Sequence, residues 1–271
     1  MRPLAVGATF MIAHLWTHRV MIAGLVRRDV RARYAGSVLG LAWTVLQPLL
    51  LFLVYMFVLS TILQVKFTAE DGTGAFAFYL LAGLLPWLGF QEGVIKAATA
   101  IVDNASLVKA VRFPAAVLVA SSILASLVTF LLSFSLLLFA LFVTGRLTWA
   151  SVPLVPALLC LQTGLAFGCG LIVASVQTVL RDTVQMLQMM FMVWFYLTPI
   201  IYPLSYVPSQ FVALWQWNPF TPLVSAYRAI LLEGHYPTLT DLGSPCVWTL
   251  VVLLSGCWLF SRLEPGFADL L

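Results

Sequence analysis

Four arginines lie close together before the first long apolar stretch of the chain, at Arg27, Arg28, Arg31 and Arg33, and Tyr34 follows them. A guanidinium group binds phosphate through two parallel hydrogen bonds, and basic clusters beside a membrane attract anionic head groups. The cluster therefore indicates either a site for a phosphate or pyrophosphate head group or an anchor that orients the chain in a membrane. The sequence alone leaves both interpretations open.

Aromatic side chains lie within the apolar stretches, where their rings could stack on sugar faces while their N–H and O–H groups bind sugar hydroxyls. The candidates for glycan contact are Trp43, Tyr55, Trp87, Trp194 and Tyr196. Further along the chain lie Trp215, Trp217 and Tyr227. The alternative is the ordinary aromatic belt that membrane proteins carry at both interfaces.

Motifs for unaided chemistry are missing from the sequence. It contains no GxxxxGK[ST] phosphate loop, no HExxH motif and no GxSxG motif, so we predict that it is not an enzyme and needs a separate source of energy. His14 and His18 have the spacing of two metal ligands on one helical face, but no third ligand is near, and we predict no metal site. Acidic residues are nearly absent from the apolar stretches: Glu92 lies near the end of one of them, and Lys96 at i+4 can pair with it. A proton- or sodium-coupled carrier would bury more carboxylates.

The composition places all of these side chains in a bilayer. Hydrophobic residues make up 62% of the 271 residues, charged residues make up 9%, and the mean hydropathy is +1.03. Soluble domains carry about 25% charged residues, so a soluble globular protein is excluded. The first 30 residues carry arginines without a long apolar core or a cleavage site, and we expect no cleaved signal peptide.

Runs of uncharged sequence mark the elements that must position these side chains. A spanning helix needs about 20 mostly apolar residues, and a charge near its centre is costly. Six uncharged runs are long enough: 34–65, 72–91, 113–145, 147–180, 183–227 and 242–261. We therefore predict an all-α integral membrane protein with six transmembrane helices.

The longest run, 183–227, is expected to hold one span near 184–203. Its second half is rich in proline, which breaks regular helices. The prolines are Pro199, Pro203, Pro208, Pro219 and Pro222. Irregular backbone is tolerated at membrane depth only where protein buries it or where it lines a wet cavity. We predict short re-entrant or interfacial helices over 204–240, with the role of a gate.

Positive charges orient the chain, because Lys and Arg collect in cytoplasmic connections. With six spans and a cytoplasmic N-terminus, all but three of the 14 Lys and Arg residues lie on the cytoplasmic side. The outer side would hold Lys66, Arg146 and Arg228. We predict that both termini are cytoplasmic and that an amphipathic helix within 1–34 lies along the inner membrane surface.

The longest cytoplasmic connection, 96–113, is neither strongly charged nor of disordered composition. Asp103 or Asn104 could cap a short helix that presents Leu107 and Val108 beside Lys109. Such a helix is a candidate surface for another protein, and a solvated connector is the alternative.

Two pairs of glycines have the GxxxG spacing that lets membrane helices approach closely, Gly36 with Gly40 and Gly164 with Gly168. Packing inside one subunit and packing between two copies both fit this spacing.

Four segments carry a family resemblance that covers nearly the whole chain. They are LVRRDVRARYAGSVLGLAWTVLQPLLLFLVYMFVLS from Leu25, NASLVKAVRFP from Asn104, RDTVQMLQMMFMVWFYLTPIIYPLSYVP from Arg181 and NPFTPLVSAYRAILLEG from Asn218. With these segments the sequence resembles the ABC-2 type membrane subunits that export polysaccharides, the O-antigen, capsule and teichoic acid permeases.

The resemblance implies a single transmembrane domain over 1–271, in a homodimer with two copies of a P-loop ATPase that binds ATP and Mg. Its parts would be an interfacial helix (1–34), spans 1 to 5 (35–203) with a coupling segment (96–113), an extracytoplasmic gate (204–240), and span 6 with a cytoplasmic tail (241–271). The residues implied for ATPase coupling are Asp103, Asn104, Leu107, Val108, Lys109, Arg112 and Phe113. The arginine cluster and Tyr34 would flank the head group, the spans' aromatic residues would face the glycan, and Trp215, Trp217 and Tyr227 would belong to the gate.

The resemblance further implies a lipid-linked or lipid-terminated polysaccharide as substrate, a multi-pass location in the bacterial inner membrane, no cofactor in this chain and no nucleic-acid partner. Membrane lipids are expected partners, and the sequence leaves open whether periplasmic or outer-membrane export proteins continue the route. Two other classes also stay open: an ABC-2 exporter of a small lipid or drug, and a six-span membrane enzyme or scaffold.

Overall fold

The computed structural model describes residues 11, 13, 15–34, 39, 40, 42–62, 73–110, 113–147, 152–234 and 239–271. Within these ranges the chain forms helices joined by turns and short links and contains no strand, which confirms the predicted all-α class there. The α-helices in chain order are α1 (Arg19–Tyr34), α2 (Ala42–Met56), α3 (Thr73–Asp103), α4 (Ala105–Ala110), α5 (Ala115–Val143), α6 (Val155–Val179), α7 (Thr183–Leu197), α8 (Ser209–Gln216), α9 (Thr221–Arg228), α10 (Leu239–Leu263) and α11 (Phe267–Leu270). Turns of π-helix, Phe57–Ile62 and Ala229–Glu233, extend α2 and α9.

Four helical segments of the described chain are long and apolar enough to cross a membrane. They are Phe76–Asp103, Ala115–Val143, Val152–Val179 and Leu242–Leu270. The other two predicted spans fall on α2 with its π-helical turn and on α7. Because α7 has 15 residues, its length of about 22 Å is less than the hydrocarbon thickness of about 30 Å. The count of six spans stays a prediction.

Helix α3 is the central element of the bundle, with α5, α6, α7 and α9 packed around it. It buries Leu80, Leu84 and Ile101 completely. Helices α3, α6 and α10 run in the same direction, and α5 and α7 run against them, as the paired contacts along their lengths show. The bundle therefore has two ends, which we call the Asp103 end and the Thr73 end after the two ends of α3.

Helices α6 and α10 approach each other closely through glycines. A Cβ atom on Gly168 would lie 2.7 Å from the backbone nitrogen of Leu253, and one on Gly256 would lie 2.5 Å from the carbonyl oxygen of Gly168. Gly164 faces Thr249 in the same contact. The Gly164 and Gly168 pair therefore packs two helices of one subunit, which decides between the two interpretations of this motif. Of the other pair, Gly36 lies outside the described residues.

Helix α1 runs beside α5 from the Asp103 end, where Ile22 packs against Val117 and Ala120, to the contact of Arg33 with Thr129. The chain's last helix, α11, lies at the same end and contacts α4. Phe267 of α11 is fully buried, with its ring centroid 5.3 Å from that of Phe260.

The segment after α7 folds back into the bundle from the Thr73 end. Phe220, just before α9, packs against Trp87 with ring centroids 5.2 Å apart. At 1.5 Å per residue, Trp87 lies about 21 Å along α3 from Thr73 and about 24 Å from Asp103, which is near the middle of the helix. Arg228, at the other end of α9, contacts Tyr79. Helix α9 therefore runs from the middle of α3 towards its Thr73 end.

Candidate functional site

A charged cluster joins α1, α3 and α5. One carboxylate oxygen of Glu92 lies 2.6 Å from Nη1 of Arg33, 3.0 Å from Nζ of Lys96 and 3.3 Å from Oγ of Ser126. The same Arg33 nitrogen donates to the Thr129 hydroxyl at 2.9 Å. The i+4 pairing of Glu92 with Lys96 was predicted from the sequence, and the structure adds Arg33 to it. Two cations share one carboxylate, so the cluster carries a net positive charge.

The other arginines of the head-group cluster occupy a more exposed position. Arg28 donates to Oδ1 of Asn104 at 3.3 Å and pairs with Asp29 at 3.1 Å. Arg27 and Arg31 are exposed on α1. The predicted cluster is thus divided: Arg33 reaches into the bundle, and the other three guanidinium groups stay at its surface. The side chain of Tyr34 lies outside the described part of the structure.

The coupling segment has the short helix that the sequence predicts, α4, directly after α3. Asn104 lies between the two helices, and its side-chain amide donates to the carbonyl of Ala100 at 2.8 Å, while its own carbonyl accepts from the backbone of Leu107 and Val108. The side chain therefore closes α3, and the carbonyl begins α4. This use of Asn104 differs from the side-chain N-cap that the sequence suggests.

The predicted coupling side chains point in two directions. Asp103, Leu107 and Lys109 are exposed, and the exposed fraction of Leu107 is 38%. Val108 and Phe113 are half-buried: Val108 packs against the core of the bundle, and Phe113 packs where α1 meets α5. Arg112 lies outside the described residues. The exposed three could contact another protein, and Val108 packs α4 against the bundle.

The aromatic candidates for glycan contact also separate by burial. Trp87 is 1% exposed and lies in a cluster within the subunit, where the rings of Phe90, Phe191, Trp194 and Phe220 surround it at centroid distances of 5.2 to 6.2 Å. A glycan cannot reach Trp87 in this arrangement, because neighbouring rings cover it. The structure thus corrects the expectation for this residue: its ring packs the core.

Two of the remaining glycan candidates have accessible rings. Trp43 on α2 is 45% exposed and Tyr196 on α7 is 55% exposed. Trp194 is half-buried, and its Nε1 donates to Oδ1 of Asn218 at 2.8 Å. The side chain of Tyr55 lies outside the described part of the structure. Trp43 and Tyr196 are therefore the aromatic candidates that a ligand could contact.

The three aromatic residues of the predicted gate have different surroundings. Trp217 is 72% exposed and contacts Trp248 edge to face. Trp215 is half-buried and donates from Nε1 to the Tyr202 hydroxyl at 2.8 Å. Tyr227 is fully buried and donates to Oε1 of Gln162 at 2.8 Å. Only Trp217 of the three is open to a ligand, and Tyr227 serves to hold α9 against α6.

Every backbone carbonyl from Trp194 to Ile200 has a hydrogen-bond donor. The end of a helix leaves its last four carbonyls without helical partners, and at membrane depth each of these groups needs another donor. In the order of the carbonyls along the chain, the donors are the Thr198 hydroxyl, the Thr198 backbone N–H, the Tyr202 hydroxyl, the Asn218 side-chain amide and the Ile200 backbone N–H. Arg228 is the donor to the last two carbonyls. Helix α7 ends at Leu197 because the residue before Pro199 is forced out of the helical conformation, and Thr198 has ψ 132°.

Arg228 is the main feature of this region that sequence reasoning missed. Its guanidinium donates to the carbonyl and hydroxyl oxygens of Tyr79 at 3.2 and 2.8 Å, to the Pro199 carbonyl at 2.7 Å and to the Ile200 carbonyl at 2.6 Å. It also lies 3.5 Å from the centroid of the Tyr79 ring, and only 5% of the residue is exposed. Its acceptors are mostly backbone atoms, which leave no signature in residue types.

The part of the chain that the structure describes contains no candidate metal site. No group of three or more His, Cys, Asp or Glu side chains there is placed to hold a metal ion. Of the two spaced histidines, His14 lies outside the described residues.

Comparison with known proteins gives one consistent result. Residues 22–232 match the family described as ABC-2 type transporter. The chain is 30% identical over 261 residues to the O-antigen export system permease protein RfbA of Myxococcus xanthus, and the match covers 96% of this chain and 98% of that protein. It is 26% identical to RfbA of Klebsiella pneumoniae, over 93% of this chain and 95% of that one. It is 25% identical to the polysialic acid transport protein KpsM of Escherichia coli, over 91% and 94%.

The family match spans most of the chain, and the similarity to these relatives extends over nearly their full lengths. The helical bundle, with its four long apolar segments, is consistent with a membrane-embedded transport subunit. The chain therefore belongs to the ABC-2 type transporter family.

Proposed function

We propose that this chain is the channel-forming permease subunit of an ATP-driven exporter that moves a lipid-linked or lipid-terminated polysaccharide across the bacterial inner membrane. The observation that carries the proposal is the near full-length similarity to permeases named for O-antigen export and polysialic acid transport. The apolar bundle supplies the membrane domain, and ATP hydrolysis belongs to a separate subunit.

The proposed topology has six spans and two cytoplasmic termini. The four long apolar helices supply four of the spans, and α2 with its π-helical turn and α7 supply the other two. In this orientation the Asp103 end is cytoplasmic, which agrees with the position of the arginines of α1 there. The Thr73 end is extracytoplasmic, and the re-entrant segment enters the membrane from that side.

Helix α4 is the proposed docking element for the P-loop ATPase, which binds ATP and Mg. Its exposed Leu107 lies between the exposed charges of Asp103 and Lys109. An apolar side chain with charged residues around it fits the apolar core and polar rim of a protein interface. Because α11 packs on α4 and α4 follows α3 directly, a push on α4 would reach the whole bundle. The assembly is a homodimer of this subunit with two ATPase copies, and the path lies between the subunits.

The substrate's anionic head group is proposed to meet α1. Arg27 and Arg31 are exposed and can make the first contact, since they lie on the surface of the bundle. Arg33 with Lys96 provides positive charge further in. The glycan would then contact the accessible rings of Trp43 and Tyr196 and pass a gate formed by segment 204–240.

A deletion strain tests the proposed function. Loss of this subunit would leave the completed lipid-linked glycan inside the cell, and expression of the wild-type chain would restore it to the surface. Fractionation of the glycan between spheroplasts and surface, followed by mass spectrometry of its lipid end, measures both effects. A deletion strain with normal surface glycan and no internal accumulation would contradict the proposal.

A further inference from the structure

Arg228 joins three parts of the Thr73 end that are far apart in sequence: α3, the link after α7, and α9. We call Arg228, Tyr79, Pro199 and Ile200 the arginine clamp. We propose that the clamp fixes the re-entrant segment, from Thr198 to Glu233, against α3, so that this segment moves together with α3 during export instead of swinging open on its own. The role in export rests on the proposed function, and the fixed position of the segment rests on the contacts of Arg228.

The clamp satisfies two backbone carbonyls that have no other donor among the residues that the structure describes. The link after α7 is irregular, so its carbonyls cannot be paired within a helix, and the planar fork of an arginine can reach two of them at once. The carbonyls of Pro199 and Ile200 are both bound in this way, at 2.7 and 2.6 Å. A lysine could not bind both with the same geometry, because its donors radiate from one nitrogen.

The charge on Arg228 makes the clamp hard to open. Among the described residues, no carboxylate oxygen lies within ion-pair distance of its guanidinium. Glu233 attracts the charge from a longer distance, and the direct contacts are with neutral oxygens and the face of the Tyr79 ring. If the segment moved away from α3, Arg228 would keep the Pro199 and Ile200 carbonyls, which belong to the segment, and would lose both oxygens and the ring of Tyr79. Such a loss is costly for a buried cation in an apolar environment. The clamp is therefore expected to stay closed while the surrounding helices move.

Contacts along the whole of α9 support the inference that α9 and α3 move together as one rigid body. Phe220 at one end lies against Trp87, and Tyr227 at the other end binds Gln162, whose amide donates to the carbonyl of Pro86 at 3.1 Å. Between them, a Cβ atom on Gly83 would lie 3.1 Å from Cγ1 of Val224. Helix α9 therefore touches α3 or its neighbours over its full length.

The first experiment measures whether the clamp holds the segment. In a background with all four native cysteines replaced by alanine, Val224→Cys is labelled with a membrane-impermeant maleimide in intact cells. Val224 is fully buried, so labelling is expected to be slow. Arg228→Met is expected to raise the rate at least tenfold, and Arg228→Lys is expected to give an intermediate rate. Arg146→Met, which removes an exposed cation outside the clamp, is the matched control and is expected to have no effect.

Folded Arg228→Met protein with an unchanged labelling rate would overturn the inference. If this variant does not accumulate, Tyr79→Phe replaces it, because it keeps the ring and the carbonyl and removes one acceptor. An increase in labelling of about threefold is expected for it, and an unchanged rate would overturn the inference as well. Neither result depends on a glycan, so both remain decisive if the proposed function fails.

The second experiment tests movement as one body. A Cβ atom on Gly83 would lie 3.1 Å from Cγ1 of Val224, so these positions are candidates for a disulfide. The same Cβ atom would lie 3.0 Å from Nη2 of Arg228, and Gly83→Ala with Val224→Cys is therefore the control for displacement of the guanidinium. Gly83→Cys with Val224→Cys, oxidised to the disulfide, is expected to retain at least half of the export rate of the same protein after reduction. A loss of export on oxidation that reduction restores would show that α9 must leave α3, and it would overturn the inference. The absence of export in the unaltered protein would instead count against the proposed function.

Discussion

Glu92 is the side chain whose surroundings say most about how α1 is held. It accepts from Arg33, Lys96 and Ser126 through one oxygen, so a single carboxylate ties the surface helix to two helices of the bundle. Charges at membrane depth are costly unless they are paired, and here the pairing crosses three helices. The position of α1, and with it the proposed head-group site, depends on this carboxylate.

We expect Glu92→Gln to destabilise the protein by about 1–2 kcal/mol, because two cations would lose their shared anion while partial exposure screens part of the effect. Thermal unfolding of the purified subunit in detergent measures the change. Arg28→Gln is the matched control and should have little effect, since the pair of Arg28 with Asp29 is more exposed. Equal melting temperatures for Glu92→Gln and the wild type would contradict this account of the cluster.

The two kinds of aromatic side chain should respond differently to truncation. Trp87→Ala removes a ring from a closed cluster and should cost about 3–5 kcal/mol of stability. Tyr196→Ala removes an exposed ring, so it should leave the melting temperature within a few degrees of wild type and slow export severalfold. Thermal unfolding and export assays on both variants separate packing from glycan contact. Export at the wild-type rate in Tyr196→Ala would remove this residue from the proposed path.

Helix α4 is a short element whose position explains how a partner could drive the bundle. It follows α3 after a single turn residue and is backed by α11. We expect Leu107→Asp to weaken binding of the ATPase at least tenfold, because a charge would replace the apolar side chain at the proposed contact. Co-purification from native membranes measures the bound ATPase, with Leu107→Met as the control that keeps an apolar side chain. Unreduced recovery of the ATPase with Leu107→Asp would place the docking surface elsewhere.

The contact of α6 with α10 depends on the absence of side chains. Gly256→Ala should cost about 1–3 kcal/mol, because its methyl group would meet the Gly168 carbonyl and the backbones would have to separate. Gly243→Ala on the same helix meets no atom within 4 Å and is expected to cause no loss of stability. Thermal unfolding compares the two variants. A Gly256→Ala protein that keeps its stability and loses its self-association would show that this contact lies between copies.

The helices of the chain could largely be predicted from charge spacing and apolar runs. Which side chains are buried in the bundle and which are exposed could not be predicted in this way. Lys96 lies one helical turn from Glu92, so this pair follows from the sequence. Arg33 joins it through a contact between distant segments, which spacing does not reveal. Trp87 and Tyr196 are both aromatic residues in apolar runs, and only the packing of neighbouring helices makes one a core residue and the other an exposed one. Arg228 binds backbone oxygens, which no residue pattern marks.

The molecule as a whole combines a membrane bundle with a candidate docking helix at one end and, in our proposal, a fixed re-entrant segment at the opposite end. The docking helix lies at the Asp103 end of α3, and the arginine clamp lies near its Thr73 end. A single helix therefore connects the proposed site of ATPase contact with the proposed gate. Movement of α3 would carry the gate segment with it, which gives a direct mechanical route from ATP hydrolysis to opening.

The most direct measurement of the central proposal is ATP-dependent transport of lipid-linked glycan into inside-out membrane vesicles. Vesicles that contain this subunit and its ATPase should protect the glycan from an added glycosidase when ATP is supplied, and a non-hydrolysable analogue should give no protection. Vesicles from the deletion strain should give none in either case. Equal protection of the glycan with and without this subunit would contradict the proposal. So would the absence of protection in vesicles where the ATPase is bound to this subunit and hydrolyses ATP.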